Sequence, residues 1–118
     1  MDIEYSLQKF LDGADRITEV SGFKFKGPAP QLVLMDGTRI SVQAGEAMYC
    51  DPRTNHGPYS EVEIGYPSRE FAELMPYAED YKHPTNTVYG YVPIEVLEEV
   101  IAACGGVSWT WTFLSAKK

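Results

Sequence analysis

QLVLMDGTRISVQAG, residues 31–45, decides the fold. It reads as two strands, about 31–35 and 38–43, joined by Asp36-Gly37. Asp-Gly favours the positive φ angles of a type I′ hairpin turn, and apolar residues on either side supply a buried face. Upstream, Gly27-Pro28-Ala29-Pro30 is a break. Before it, RITEVSGFKFK (16–26) alternates at Ile17 and Val20, then at Phe23 and Phe25, with Ser21-Gly22 as a tight turn. SLQKFLD (6–12) fits one or two helical turns, capped by Ser6 and ended by Gly13, with Leu7, Phe10 and Leu11 on one face.

Downstream, GEAMYCDPRTNHGPY (45–59) carries Pro52, Asn55, Gly57 and Pro58 and reads as a loop. YSEVEIGYP (59–67) alternates, with Val62, Ile64 and Tyr66 facing the core and Glu61 and Glu63 facing solvent. SREFAELM (68–75) is expected as a short helix capped by Ser68 and ended by Pro76, followed by a loop over 76–86. TVYGYV (87–92) is a strand interrupted by Gly90. Pro93 suits the first position of a helix, PIEVLEEVIAAC, with Ile94, Leu97, Val100, Ile101 and Cys104 inward and Glu95, Glu98 and Glu99 outward. Gly105-Gly106 ends it. VSWTWTF (107–113) has period two, which predicts a last strand with Val107, Trp109, Trp111 and Phe113 on one face, as core or subunit interface, before a frayed SAKK tail. The expectation is an α+β domain spanning 1–118. It has a small antiparallel sheet of about six strands and two or three helices, the main one near the C-terminus. Residues 1–30 stand as an N-terminal extension.

Composition sets bounds. The 118 residues are 44% hydrophobic, enough for one core. A net charge of −7 argues against non-specific binding to nucleic acid or an anionic membrane, and no run of about 18 apolar residues suggests a span. MDIEYSLQKF has no signal-peptide pattern, so Cys50 and Cys104 read as reduced thiols in a cytosol, Cys104 in the core.

Catalytic signatures do not assemble. There is no P-loop, dinucleotide fingerprint or nucleophile elbow. His56 and His83 both lie in loops without metal-ligand spacing, so no metal or cofactor is expected. Cys50 and His56 form a nominal nucleophile pair, but nothing orients the histidine, and a structural thiol is the better reading. Glu61 and Glu63 on an exposed strand face read as solvating charge, because general acid–base work needs a buried carboxyl.

The aromatic distribution is unusual. Seven of the eight tyrosines fall between 49 and 91: Tyr49, Tyr59, Tyr66, Tyr77, Tyr81, Tyr89 and Tyr91. Tyrosine offers a flat apolar face with a polar tip, suited to planar ligands and interfaces. Arg53 and Arg69 are available for phosphate, and Asn55, Asn86, Thr85 and Thr87 supply neutral hydrogen bonds. The bland alternative is that Tyr66 and one of Tyr89 or Tyr91 are core or cross-strand contacts.

The segments VQA (42–44), YCDPR (49–53), GPY (57–59), VEIGYPS (62–68), PYAED (76–80) and PTNTVYGYVP (84–93), followed by an amphipathic helix and Gly-Gly, span 38–106. This pattern resembles the first-described family of Thoeris anti-defence proteins of tailed phages. The resemblance implies a sponge that binds a cyclic nucleotide or a cyclic ADP-ribose-type immune signal in the host cytoplasm without cleaving it. It implies homo-oligomers with ligand sites at subunit boundaries. It gives Arg53 a phosphate, Tyr49, Tyr59, Tyr89 and Tyr91 an adenine to stack on or enclose, and Asn86 and Thr87 neutral hydrogen bonds. Two other classes compete: an acidic protein–protein inhibitor of a host defence complex, suggested by the net charge, and a hydrolase using Cys50 and His56.

Overall fold

The computed structural model describes residues 6–116. Helix α1 (Leu7–Asp12) starts where the Ser6 hydroxyl accepts the Lys9 N–H and stops at left-handed Gly13. Strands β1 (Ile17–Val20) and β2 (Phe23–Lys26) form a separate two-stranded sheet. Their turn, Ser21-Gly22, has both φ angles positive, the type I′ geometry. A second antiparallel sheet runs β3 (Leu32–Val33), β4 (Arg39–Gln43), β5 (Glu61–Gly65) and β6 (Val88–Pro93) in that order. Helix α2 (Ile94–Ala103) follows β6 directly, and α3 (Trp109–Ala116) closes the described chain. The α+β class and six antiparallel strands thus hold, but the strands divide two and four between two sheets.

The core is built from alternation. Ile40 and Val42 of β4 and Val62 and Ile64 of β5 are fully buried, and Leu97 and Val100 of α2 and Phe10 and Leu11 of α1 join them. Each such side chain contributes about 1.5–3 kcal/mol on burial. Along β6 the buried residues are Tyr89 and Val92, three apart. Tyr89 pairs with Ile64 and Val92 with Val62, so Gly90 and Tyr91 together oppose Glu63 in a β-bulge. The bulge keeps both flanking residues inward and turns Tyr91 out.

Four expectations need correction. The 31–45 hairpin closes through three residues, Met35-Asp36-Gly37, not a two-residue type I′ turn. The Leu34 carbonyl accepts the Gly37 N–H at 2.9 Å, and only Gly37 is left-handed, at φ 92°. The Met35 and Asp36 N–H groups are taken by the Gly106 and Cys104 carbonyls, and the Asp36 carboxylate accepts the Thr38 N–H, which fixes the wider turn. Tyr66 ends β5: its N–H still bonds the Thr87 carbonyl, one step past the Gly65–Val88 pair, but its left-handed backbone at φ 48° turns the side chain out, 53% exposed. Ser68 does not cap a helix: its hydroxyl accepts the Arg39 N–H, and a 3₁₀ turn over Ala72–Tyr77 includes Pro76.

The fourth correction is the VSWTWTF segment, which is helical from Trp109 onward. The Ser108 hydroxyl accepts the Trp111 N–H, and its carbonyl accepts the Thr112 N–H. Trp109, Thr112 and Phe113, at i, i+3 and i+4, turn inward, while Trp111 turns out. The rings of Phe10, Trp109 and Phe113 pack with centroids 5.5–6.3 Å apart, joining α3 to α1. Val107 alone keeps strand character, in a bridge with Leu34. The fraying expected at residues 117 and 118 lies outside the described residues, whereas Ser115 and Ala116 are helical.

Fully buried Thr112 caps the sheet edge. Its Oγ1 accepts the Val33 N–H at 2.9 Å and lies 3.5 Å from the Val33 carbonyl. Thr112→Val conserves shape but strands the Val33 N–H, so urea unfolding should report a loss of about 1–3 kcal/mol. A loss under about 0.5 kcal/mol would contradict this use of α3.

Candidate functional site

The bulge creates the site. With its amide turned out of the ladder, Tyr91 donates its N–H to the Tyr49 carbonyl at 2.9 Å. The Tyr49 N–H in turn donates to Glu63 Oε1 at 3.0 Å. Glu63, expected to face solvent idly, is half-buried and holds the loop down. Gly90 leaves room for the loop to lie close: a Cβ there would stand 3.2 Å from the Tyr49 Cβ, and Tyr49 would have to give by a few tenths of an ångström. The two rings come to rest side by side, centroids 5.8 Å apart at 41°, each residue 43% exposed. The Arg53 guanidinium lies 5.6 Å from the Tyr49 ring centre and is exposed. Stacking and cation–π contact at such a site are worth about 0.5–1.5 and 0.5–1 kcal/mol respectively.

The loop carrying Arg53 is held at both ends. Asp51 and Glu61 form an antiparallel bridge, and the Ser60 N–H bonds the Asp51 carbonyl at 2.8 Å. Inside the loop, buried Tyr59 exchanges two hydrogen bonds with the Gln8 side chain. Its hydroxyl donates to the Thr54 carbonyl and accepts from Lys26 Nζ. Burial pushes this phenol up to about 12, so it stays protonated in any ordinary buffer. Burial likewise lowers the Lys26 ammonium, which donates to the Leu11 carbonyl at the end of α1.

Of the residues expected at the site, Tyr49, Arg53 and Tyr91 come together in the open. Tyr59 and Tyr89 are core residues, the latter with its hydroxyl donating to the Pro84 carbonyl. Thr87 is buried, and its hydroxyl accepts the Asp80 N–H. Asn86 is exposed in the separate 80–87 loop, where its N–H bonds the His83 carbonyl. His83 Nδ1 lies 2.8 Å from Asp80 Oδ2 there, and that hydrogen bond holds the Asp80 carboxyl below its usual range. Arg69 is engaged elsewhere, 3.6 Å from Asp36 and over the Phe71 ring. Asn55 uses its side-chain oxygen on the Glu46 N–H.

The Cys50/His56 pair is not formed. The Cys50 thiol is buried, bonds Gly45, and is pushed up by burial, whereas His56 is exposed and 3.8 Å from Asp12. Sequence reasoning missed Glu63 and the space-making role of Gly90; an isolated glycine inside a strand pattern is the signal for the latter. No family model matches the chain, and no curated protein or solved structure is significantly similar to it.

Tyr91 sits in the left-handed region at φ 51°, a conformation that costs a tyrosine about 1 kcal/mol. Tyr91→Gly removes the strain together with the ring, so melting should occur at an unchanged or higher temperature. A fall of more than about 5 °C would mean that the ring is packing rather than presented surface.

Proposed function

We propose that this protein binds and sequesters a small nucleotide-type signal without cleaving it. The observation that carries the reading is the open Tyr49–Tyr91 pair with the Arg53 guanidinium against it. A paired aromatic surface accepts a base, and a guanidinium grips phosphate through two parallel hydrogen bonds. The same three residues lie in the YCDPR and PTNTVYGYVP segments on which the resemblance to phage Thoeris anti-defence proteins rests. On that resemblance the ligand class is a cyclic nucleotide or a cyclic ADP-ribose isomer, met in the cytoplasm of an infected cell.

Sequestration needs affinity and a slow release, not a general base. The anchored loop supports this, since a site ordered beforehand loses less entropy on binding. In a chain of net charge −7, Arg53 supplies the local positive charge that an anionic ligand requires.

Titration calorimetry against cyclic ADP-ribose isomers and cyclic dinucleotides should find one of them bound. Heating the complex and analysing the supernatant by mass spectrometry should return that ligand intact. Arg53→Ala should weaken binding about 10- to 100-fold, as expected for loss of a charged hydrogen bond to the ligand, while loss of the cation–π contact lowers the melting temperature by no more than about 5 °C. Cleaved ligand, or no binding across the panel, would overturn the proposal.

A further inference from the structure

Lys26, the last residue of β2, is half-buried. An ammonium has three donors, and this one gives all three to neutral oxygens. They are the Leu11 carbonyl at 2.6 Å, the Tyr59 hydroxyl at 3.1 Å and the Asn55 carbonyl at 3.4 Å. The first belongs to α1 and the other two to the loop that follows Arg53. The ammonium also lies 5.0 Å from the centre of the Tyr59 ring. Taking a cation out of water is costly, and an apolar side chain in such a place is often as stabilising or more so. What an apolar side chain cannot do is bind oxygens of two separate segments in one fixed arrangement.

Helix α1 grips the same loop directly. The Gln8 side chain donates to the Tyr59 carbonyl at 2.8 Å and accepts the Tyr59 N–H at 2.9 Å. Asp12 Oδ1 accepts the Gly57 N–H at 2.8 Å. The Tyr59 hydroxyl passes the hold back along the chain, donating at 2.8 Å to the carbonyl of Thr54, the residue after Arg53. Main-chain atoms of Thr54, Asn55, Gly57 and Tyr59 are thus all held. The anchors Gln8, Asp12 and Lys26 lie outside the 38–106 pattern on which the resemblance rests, in the segment that reads from sequence as an N-terminal extension.

Arg53 is exposed, and its guanidinium lies against the Tyr49 ring. A long side chain on a loop keeps one direction only if its main chain is fixed by a supporting layer, and a site ordered beforehand binds at lower entropic cost.

We infer that Gln8, Asp12 and Lys26 are positioning residues for the candidate site: they hold the 54–59 chain so that the Arg53 guanidinium stays against Tyr49, ready for an anion. The purpose of this clamp rests on the proposed nucleotide reading, whereas its hold on Arg53 is a property of the free protein.

NMR on the ligand-free full chain tests the hold. Wild-type protein should show nuclear Overhauser contacts between the Arg53 side chain and the Tyr49 ring. Lys26→Met should lose them, and exchange of the Tyr59 amide should rise about 10-fold relative to the Val100 and Ile101 amides of α2, which report global opening. Asp12→Ala changes a surface side chain, keeps Lys26, and should act in the same direction. These readouts decide the clamp even if the nucleotide reading fails. With cyclic ADP-ribose as the probe, Lys26→Met should weaken binding about 10-fold in the wild type but less than about 2-fold in an Arg53→Ala background, because the clamp acts through Arg53. Arg53–Tyr49 contacts that persist in both variants would overturn the inference. So would Tyr59 exchange that rises no more than that of Val100 and Ile101, or equal losses of affinity in the two backgrounds.

Discussion

The hydrogen bond from the Tyr91 N–H to the Tyr49 carbonyl is the contact on which the candidate site depends. It exists because β6 has one residue more than β5 between the Val62–Val92 and Ile64–Tyr89 pairs. The surplus releases the Tyr91 amide from the ladder, and the loop before β5 supplies its new acceptor. A regular ladder would have spent that amide on β5 and left the 45–60 loop without this tie to the sheet. The bulge therefore does two jobs at once: it aims a side chain outward and ties down the loop that carries the other two.

Charge and burial divide the tyrosines by role. Tyr59 and Tyr89 lose their water, keep their protons, and give their hydroxyls to main-chain carbonyls. Tyr49 and Tyr91 keep one face in water and tie the loop to the sheet through their main chain, with their rings resting against each other. A ring with one face in water is available to a ligand, and the strained φ of Tyr91 is tolerated because its backbone is pinned.

Local signals were legible where the chain's own chemistry decides the outcome. Ser6, Gly13 and Ser21-Gly22 announce a cap, a stop and a turn, and Val62/Ile64 and Leu97/Val100 announce buried faces at periods of two and 3.6. Gly90 announces an interruption in its strand. Where long-range contacts decide, the local reading failed. Asp36-Gly37 is widened because residues 104–106 take the amides of its turn. The SWTWTF residues favour a strand by propensity, yet the Ser108 cap and the Phe10 ring make them a helix. For the site, Tyr49, Arg53 and Tyr91 could be named from the sequence. Their separation from Tyr59, Tyr89 and Thr87 could not: the bulge turns Tyr91 away from Tyr89, Tyr59 is held inward by Gln8 and Lys26, and Thr87 by the Asp80 N–H.

The central claim is that Tyr49, Tyr91 and Arg53 make one ligand platform. A co-crystal structure with the bound member of the cyclic nucleotide panel tests it most directly. The account predicts a base against the Tyr49 and Tyr91 rings and a phosphate within hydrogen-bond distance of the Arg53 guanidinium. A ligand bound elsewhere on the molecule, with both rings still bare to solvent, would contradict it.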